Sequence, residues 1–166
     1  MLIIKGGYAP VMLYMQGVVI IPTRSLKESI VTLPDSLKKK YPGALAWSIG
    51  DNTDMANELA ELVCRGIKTA SCGSLAAYLA DASAPKIGSY NIILNGQGEP
   101  VCVIRIVALR MLRFSEITEA FARKEGEGDF SLEYWKKEHK AFFTRAGTYS
   151  DNMELVTEEF EVIEIL

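Results

Sequence analysis

The sequence predicts a single α+β domain, because two kinds of hydrophobic pattern follow one another along the chain. Apolar residues recur at helical spacing before residue 82 and again between residues 115 and 146. Between these regions, residues 87–112 carry two runs of β-branched residues joined by NGQGEP, whose Asn-Gly chemistry is typical of a hairpin. Near the end of the chain, Phe160 and Val162 alternate with glutamates, as in a strand. This order indicates an α+β fold rather than a doubly wound one.

The outer helices are predicted from the spacing of their apolar residues. Residues 25–40 have apolar positions three and four apart, and Pro34 within that run divides the helix into two short pieces. After the hairpin, residues 115–124 and 131–146 carry further helical patterns, and Ser131 is placed to cap the second of them.

One connection between helices has an unusual composition. Residues 51–53 offer N-caps for a helix that ends before Gly66, a residue suited to the left-handed position after a last turn. A short helix is expected over residues 74–82 immediately afterwards. Lys68 and Ser71 are therefore expected in the connection between these two helices.

Composition limits the function classes. The 166 residues fit one domain of ordinary size, and a net charge of −3 argues against a protein that holds duplex nucleic acid mainly by charge. The three cysteines form no C-x-x-C motif and suit a reducing compartment. A single histidine excludes a zinc site built on several imidazoles.

The first 24 residues are the most apolar part of the chain. They contain no A-x-A-like cleavage site, and Gln16 and Gly17 interrupt the apolar run, which argues against a signal peptide. Pro10 and Pro22 make the segment too broken to span a bilayer. We expect this extension to pack on the domain or on a neighbouring subunit.

Three stretches contain residue types that core packing does not require. They are GIKTAS at residues 66–71, EGEGD at residues 125–129 and GDNTD at residues 50–54. Each has a structural alternative: a polar connection, an acidic turn and an N-capping loop. Trp47, just before the third stretch, could stack on a base or lie in the core.

Several motifs, in order, resemble the ASCH domain, a family of the PUA-like superfamily. They are WSIGD, ELAELVCRGIKTAS, IGSYNIILNGQGEPVCVIRI, FARKEGEGDFSLEYWKKEHKAFF and MELVTEEFEV, and the resemblance runs from about Trp47 to Val162. It implies a compact PUA-like β-barrel flanked by helices, with a cleft lined by the G-x-K motif. Members of the family are implicated in RNA binding or processing.

A smaller class of relatives hydrolyses the acetyl amide of N4-acetylcytidine with a lysine, a threonine three residues later and a downstream glutamate. By this resemblance the lysine is Lys68, the threonine position is Ser71, and the glutamate is Glu125, with Glu127 as its rival. Ser71 keeps a hydroxyl. Gly73 stands where a basic residue is often found, which weakens the case for a phosphate or carboxylate clamp.

The implied chemistry requires an activated serine. A serine hydroxyl needs a base within hydrogen-bond reach, and Lys68 could serve if burial lowers its pKa toward neutrality. A close Glu125 would raise that pKa again, so Glu125 is expected to hold the exocyclic amine or leaving group rather than pair tightly with Lys68. Alternatively, Lys68 acts electrostatically on an oxyanion or a phosphate.

The resulting hypothesis is a cytoplasmic ASCH domain over residues 25–166, preceded by the extension of residues 1–24. Its cleft takes RNA or a modified nucleoside or nucleotide, without a metal or cofactor, and a homodimer is allowed. As an enzyme it hydrolyses an amide on a modified cytidine or an RNA strand; the alternative is a non-catalytic RNA- or nucleotide-binding module. The site residues are Lys68, Ser71 and Glu125 as catalytic groups, and Trp47, Thr69, Glu127 and Asp129 as substrate-binding groups.

Overall fold

A computed structural model describes residues 33–166 and, as backbone only, residues 13–15 and 18–20. These described residues form seven strands and five α-helices, with a 3₁₀ turn at Phe114–Glu116 before α4. The elements are β1 (Leu13–Met15), β2 (Val18–Ile20), α1 (Asp35–Lys40), β3 (Leu45–Ser48), α2 (Thr53–Cys64), β4 (Ala70–Ser74), α3 (Leu75–Ala80), β5 (Tyr90–Leu94), β6 (Pro100–Arg113), α4 (Glu119–Glu125), α5 (Leu132–Arg145) and β7 (Glu154–Ile165).

Five strands form one curled sheet, a half-barrel in the order β3-β5-β6-β7-β4. β3 runs parallel to β5, and the other neighbours are antiparallel. The long strands β6 and β7 pair along most of their length, with register shifts between Val103 and Ile104 and between Ile106 and Ala108. Such bulges bend a strand and increase its twist, which accounts for the curl of the sheet.

The helices cover both faces of this sheet because its strands alternate apolar side chains between the two faces. On one face, Ile92 packs with Leu37 of α1. On the other, Ile93 packs with Leu59 of α2. A third cluster, where α4 and α5 cover the end of the sheet that contains β4 and β7, includes Ala70, Phe121, Trp135, Phe143 and Leu155.

The predicted α+β class, the PUA-like architecture and the central hairpin are confirmed. The hairpin is formed by β5 and β6, and its turn is closed by the Gly98 N–H, which donates to the Asn95 carbonyl. The helix after residues 51–53 is capped by the Asn52 side chain, which accepts from the Met55 N–H, and Gly66 has a φ of +68°.

Two short strands were not predicted. Residues 70–74 form β4 rather than a connection followed by a helix, and the next helix is shorter than expected, spanning Leu75–Ala80. Residues 45–48 form β3, which includes Trp47. Both are edge strands that pair with segments distant in the chain, so their local sequence carries little of the signal that makes them strands.

Two expectations concern residues outside those whose surroundings are described. They are the packing of the extension over residues 1–24 and the first piece of the helix over residues 25–40. In that region the backbone of Leu13–Met15 pairs antiparallel with Val18–Ile20. Within the described part of the chain, no helix has the length and apolar character needed to cross a membrane.

We predict that Gly126→Ala destabilises the fold by about 2–4 kcal/mol, because Gly126 has a φ of +71° and an added Cβ would lie 2.7 Å from the Ile67 carbonyl oxygen. Gly147→Ala is the matched control, since it also follows a helix with a φ of +71° but meets no atom within 4 Å. We expect the control to cost about 1 kcal/mol. Urea unfolding measures both, and equal losses would contradict a tight contact between α4 and Ile67.

Candidate functional site

The backbone around Thr69 brings three distant segments together. Its N–H donates to the Lys124 carbonyl at 2.7 Å, and its own carbonyl accepts from the Phe160 N–H at 2.9 Å. The first bond holds the end of α4 against the segment between α2 and β4, and the second ties that segment to β7. As a result, the Lys68 side chain lies at the C-terminal end of α4.

Lys68 is buried between two carboxylates. Its side chain is 1% exposed, and Nζ lies 2.6 Å from Glu125 Oε2 and 2.6 Å from Glu127 Oε1. The Glu125 carbonyl oxygen lies 3.4 Å from the same nitrogen. The ammonium group therefore has three acceptors for its three N–H bonds and is fully satisfied without a water molecule.

The Glu125 carboxylate is held on its other side by α5. The Trp135 indole N–H donates to Glu125 Oε1 at 3.1 Å, and His139 Nε2 lies 3.6 Å from that oxygen. The imidazole stacks on the Trp135 ring at 4.0 Å between centroids. His139 Nδ1 lies 3.0 Å from the Trp135 carbonyl, and because a carbonyl only accepts, Nδ1 carries a proton.

The two acids differ in their access to a ligand. The Glu125 side chain is 1% exposed and has donors on both oxygens, whereas the Glu127 side chain is 22% exposed. One Glu127 oxygen accepts from Lys68, and the other has no hydrogen-bond partner among the described residues. Glu127 is thus the acid of this pair that retains an open acceptor.

The electrostatics of the cluster favour charged forms. Burial by itself lowers the pKa of Lys68, but the attraction of Glu125 and Glu127 outweighs it and raises that pKa above its ordinary value. Burial also opposes ionisation of Glu125, yet Lys68 and the neighbouring His139 imidazole bring its pKa down to about 2. The Lys68–Glu125 pair is closer than the sequence argument expects, and Lys68 is protonated at neutral pH.

The structure places the other predicted site residues in three different settings. Ser71 lies on β4, half-buried, and its hydroxyl makes no hydrogen bond within the described ranges. The Thr69 hydroxyl donates to the Lys124 carbonyl at 3.4 Å, and Asp129 accepts from the Ser131 N–H at 2.9 Å. Trp47 lies on β3, the edge strand opposite β4. It packs against the cluster that contains Ile93 and Leu59, and its indole N–H donates to the Asn91 side chain on β5.

Sequence reasoning missed the contacts of Trp135 and His139 with Glu125, although their four-residue spacing places both on one helix face and could have indicated the pair. It also missed Glu158, a half-buried acid on β7. Burial, with the charge of Glu125 as a second cause, raises the pKa of Glu158 to about 7. No local pattern distinguishes Glu158 from the other glutamates of its strand.

One group of side chains has donor atoms close enough for a metal ion. Cys72, Glu125 and His139 each offer an atom, and these atoms lie within 4.8 Å of one another. Burial raises the pKa of the Cys72 thiol well above its usual value, and Glu125 is already neutralised by Lys68. Because metal ligands must be deprotonated and available, this arrangement fits a hydrogen-bonded cluster better than a metal site.

Comparison with solved structures identifies two close in fold and sequence. An ASCH domain from Lactobacillus crispatus JV V101 is 32% identical, with a TM-score of 0.69, over 78% of this chain and 86% of that chain. A protein from Enterococcus faecalis V583 is 34% identical, with a TM-score of 0.70, over 79% of this chain and 85% of that chain. No curated protein matches this chain.

The family model for the ASCH domain matches residues 45–164, from the first strand of the curled sheet to its last. That range contains the whole Lys68 cluster, the strand β4 that carries Ser71 and the two helices that hold Glu125. The chain belongs to the ASCH domain family.

Proposed function

We propose that this protein binds a small modified nucleoside of the cytidine type and hydrolyses an amide on it. The observation that carries the proposal is the buried Lys68 ammonium held between Glu125 and Glu127, followed in the chain by β4, on which the Ser71 hydroxyl makes no hydrogen bond among the described residues. The cluster supplies a fixed cation and an acceptor open to a ligand, and Ser71, on the strand that follows Lys68, is the candidate nucleophile. These are the parts that acyl transfer requires.

The charge of the cluster favours a neutral ligand over a phosphate chain. The Lys68 ammonium is already paired with two carboxylates, and Gly73 supplies no further cation at its position. This arrangement leaves a phosphodiester no unpaired cation at Lys68, whereas the exocyclic N–H and hydroxyl groups of a nucleoside could donate to Glu127. This supports a nucleoside over an RNA strand as the substrate.

Within this proposal the residues have distinct roles. Ser71 attacks the amide carbonyl, and Glu127 orients the base by accepting a hydrogen bond. Lys68 acts through its charge, because its raised pKa makes it unsuitable as a base. Glu125 keeps Lys68 ionised and in place. Thr69 and Asp129 bind backbone groups and maintain the loop around the site, and Trp47 supports the core.

The cysteines support a proposal for the cellular compartment. Cys64, Cys72 and Cys102 are free thiols, which suits a reducing compartment, and we place the protein in the cytoplasm on that ground. A homodimer remains a prediction.

A non-catalytic RNA- or nucleotide-binding module is the second candidate. Glu125 and Glu127 both bind Lys68 and keep it protonated, so Lys68 cannot act as a base for Ser71. This favours a binding module. The two candidates differ in their response to substitution. A binding site loses about one hydrogen bond, roughly 1 kcal/mol, when Ser71 becomes Ala, whereas a nucleophile cannot be replaced.

We predict that the protein releases cytidine and acetate from N4-acetylcytidine and that Ser71→Ala lowers kcat more than about a hundredfold. Ser71→Thr retains activity because it restores the hydroxyl, and Glu127→Gln raises KM because it weakens an acceptor. Chromatography of the products measures each rate. Ser115→Ala, an exposed serine away from the site, is the control and should match the parent.

Lys68→Arg and Lys68→Ala complete this set. Guanidinium keeps the charge but cannot act as a base, so partial activity in Lys68→Arg supports the electrostatic role. Full activity in Ser71→Ala would end the nucleophile assignment. A parent without turnover that binds a short labelled RNA would leave the binding module as the function.

We predict that Lys68→Met destabilises the fold by about 3–5 kcal/mol, because it leaves the buried Glu125 without its cation. Adding Glu125→Gln to this variant should recover part of the loss, since it removes the uncompensated charge. Arg123→Met, in an exposed ion pair with Glu119, is the control and should change the unfolding midpoint little. Denaturant unfolding that gives Lys68→Met the stability of the parent would contradict the buried ion cluster.

A further inference from the structure

Ser71 and Glu158 lie directly opposite each other on neighbouring strands. β4 and β7 are antiparallel, and their register pairs Ser71 with Glu158. Two residues away in the same register, the Phe160 N–H donates to the Thr69 carbonyl, so Ser71 and Glu158 also form a hydrogen-bonded pair of the ladder. Side chains that are directly opposite in a sheet point to the same face. The Ser71 hydroxyl and the Glu158 carboxylate therefore share one face.

The distance between these positions suits a proton transfer. Cβ atoms of directly opposite residues lie about 4.5–5.5 Å apart. A glutamate side chain is long enough to bring its carboxylate from there to within hydrogen-bond reach of a serine hydroxyl, about 3 Å. The two side chains are not hydrogen-bonded to each other in the structure, so the contact requires a rotation of the Glu158 side chain.

Glu158 also has the surroundings of a base. On its face it neighbours Val156 and Phe160 along β7 and Leu109 across on β6, none of which ionises. Its side chain makes no hydrogen bond or ion pair within residues 33–166. By contrast, the next residue, Glu159, points to the other face and pairs with two cations, Arg110 and Lys124.

The surroundings of Glu158 raise its pKa, and no ion-pair partner within residues 33–166 lowers it again. Burial is the main cause that raises its pKa to about 7, and the negative charge of Glu125 on α4 is the second. β4 contributes Ser71 and β6 contributes Leu109 at the paired positions, so neither strand places a cation directly opposite it. A base with a pKa near the working pH is the most efficient proton acceptor.

We infer that Glu158 is the general base that activates Ser71, so that the nucleophile and its base lie on paired strands and Lys68 provides only charge. This inference rests on the proposed amide hydrolysis and names a residue that the resemblance did not supply. It also resolves the difficulty that a protonated Lys68 cannot take the serine proton.

The reaction balances with water as the only co-reactant. As Ser71 Oγ bonds to the amide carbon, its proton passes to the Glu158 carboxylate and the carbonyl π pair moves to oxygen. The C–N bond then breaks, and the protonated Glu158 gives the proton to the leaving amine. In the second half, Glu158 takes a proton from water as the water attacks the acyl ester, and the proton returns to Ser71 Oγ as the C–O bond breaks.

The test measures acylation of Ser71 by p-nitrophenyl acetate, a probe that does not depend on the identity of the nucleoside. Release of p-nitrophenolate gives the rate, and mass spectrometry locates the acetyl group. In the parent we expect acetylation at Ser71, with a rate that rises with pH about a midpoint near 7, because the ionised form of Glu158 is the active one. Glu158→Gln should lower this rate about a hundredfold or more.

Matched variants separate a base from a merely structural acid. Glu159→Gln, one residue away on the other face, should leave the rate and its pH profile unchanged. Glu158→Asp keeps a carboxylate on a shorter side chain and should restore part of the rate lost in Glu158→Gln. If Glu158→Gln does not fold, the pH profile of the parent still decides, since a rate without a midpoint near 7 overturns the inference.

The outcomes also distinguish this inference from the proposed function. Acetylation of Ser71 that depends on Glu158, in a protein that leaves N4-acetylcytidine intact, supports the Ser71–Glu158 pair and rejects the substrate. Hydrolysis of N4-acetylcytidine that is unaffected by Glu158→Gln supports the substrate and overturns the pair. Failure of the probe to acetylate Ser71 overturns the inference as well.

Discussion

Burial of the Lys68 ammonium constrains the whole site. An ammonium group removed from water is strongly destabilised unless acceptors replace its hydration, and here Glu125 and Glu127 do so at 2.6 Å each. To bring those acceptors together, α4 must end beside the segment that follows α2, and Gly126 must allow the chain to turn at that contact. The Trp135 and His139 contacts then hold Glu125 from α5.

The main contribution of this cluster is to orient side chains rather than to stabilise the fold. A buried ion pair recovers little more than the free energy lost by removing its members from water, and apolar side chains of similar size would often serve stability as well. What the charges provide is orientation. They fix Glu127 with one oxygen engaged by Lys68 and the other without a hydrogen-bond partner among the described residues.

The main mechanistic consequence is that one residue supplies the positive charge and another must transfer the proton. A single lysine cannot be both a fully paired cation and a neutral base, because each carboxylate that holds it also raises its pKa. The sheet offers a solution in which the two tasks belong to different residues. Lys68 keeps its charge three residues before Ser71 in the chain. Glu158, which has no ion-pair partner in the described part of the molecule, occupies the position on β7 that is paired with Ser71.

Local sequence patterns were sufficient to predict the α+β class, the central hairpin, the closing strand and the segments that carry the cluster. These features rest on local periods, caps and turns, and the Lys68 and EGEGD segments were conspicuous because core packing does not require them. Three features became visible only in the folded protein: residues 70–74 form a strand, Lys68 pairs tightly with Glu125, and Ser71 is paired with Glu158 in the sheet register. Each of these depends on a partner far away in the chain, and no local pattern encodes the register of two distant strands or the burial of a charge.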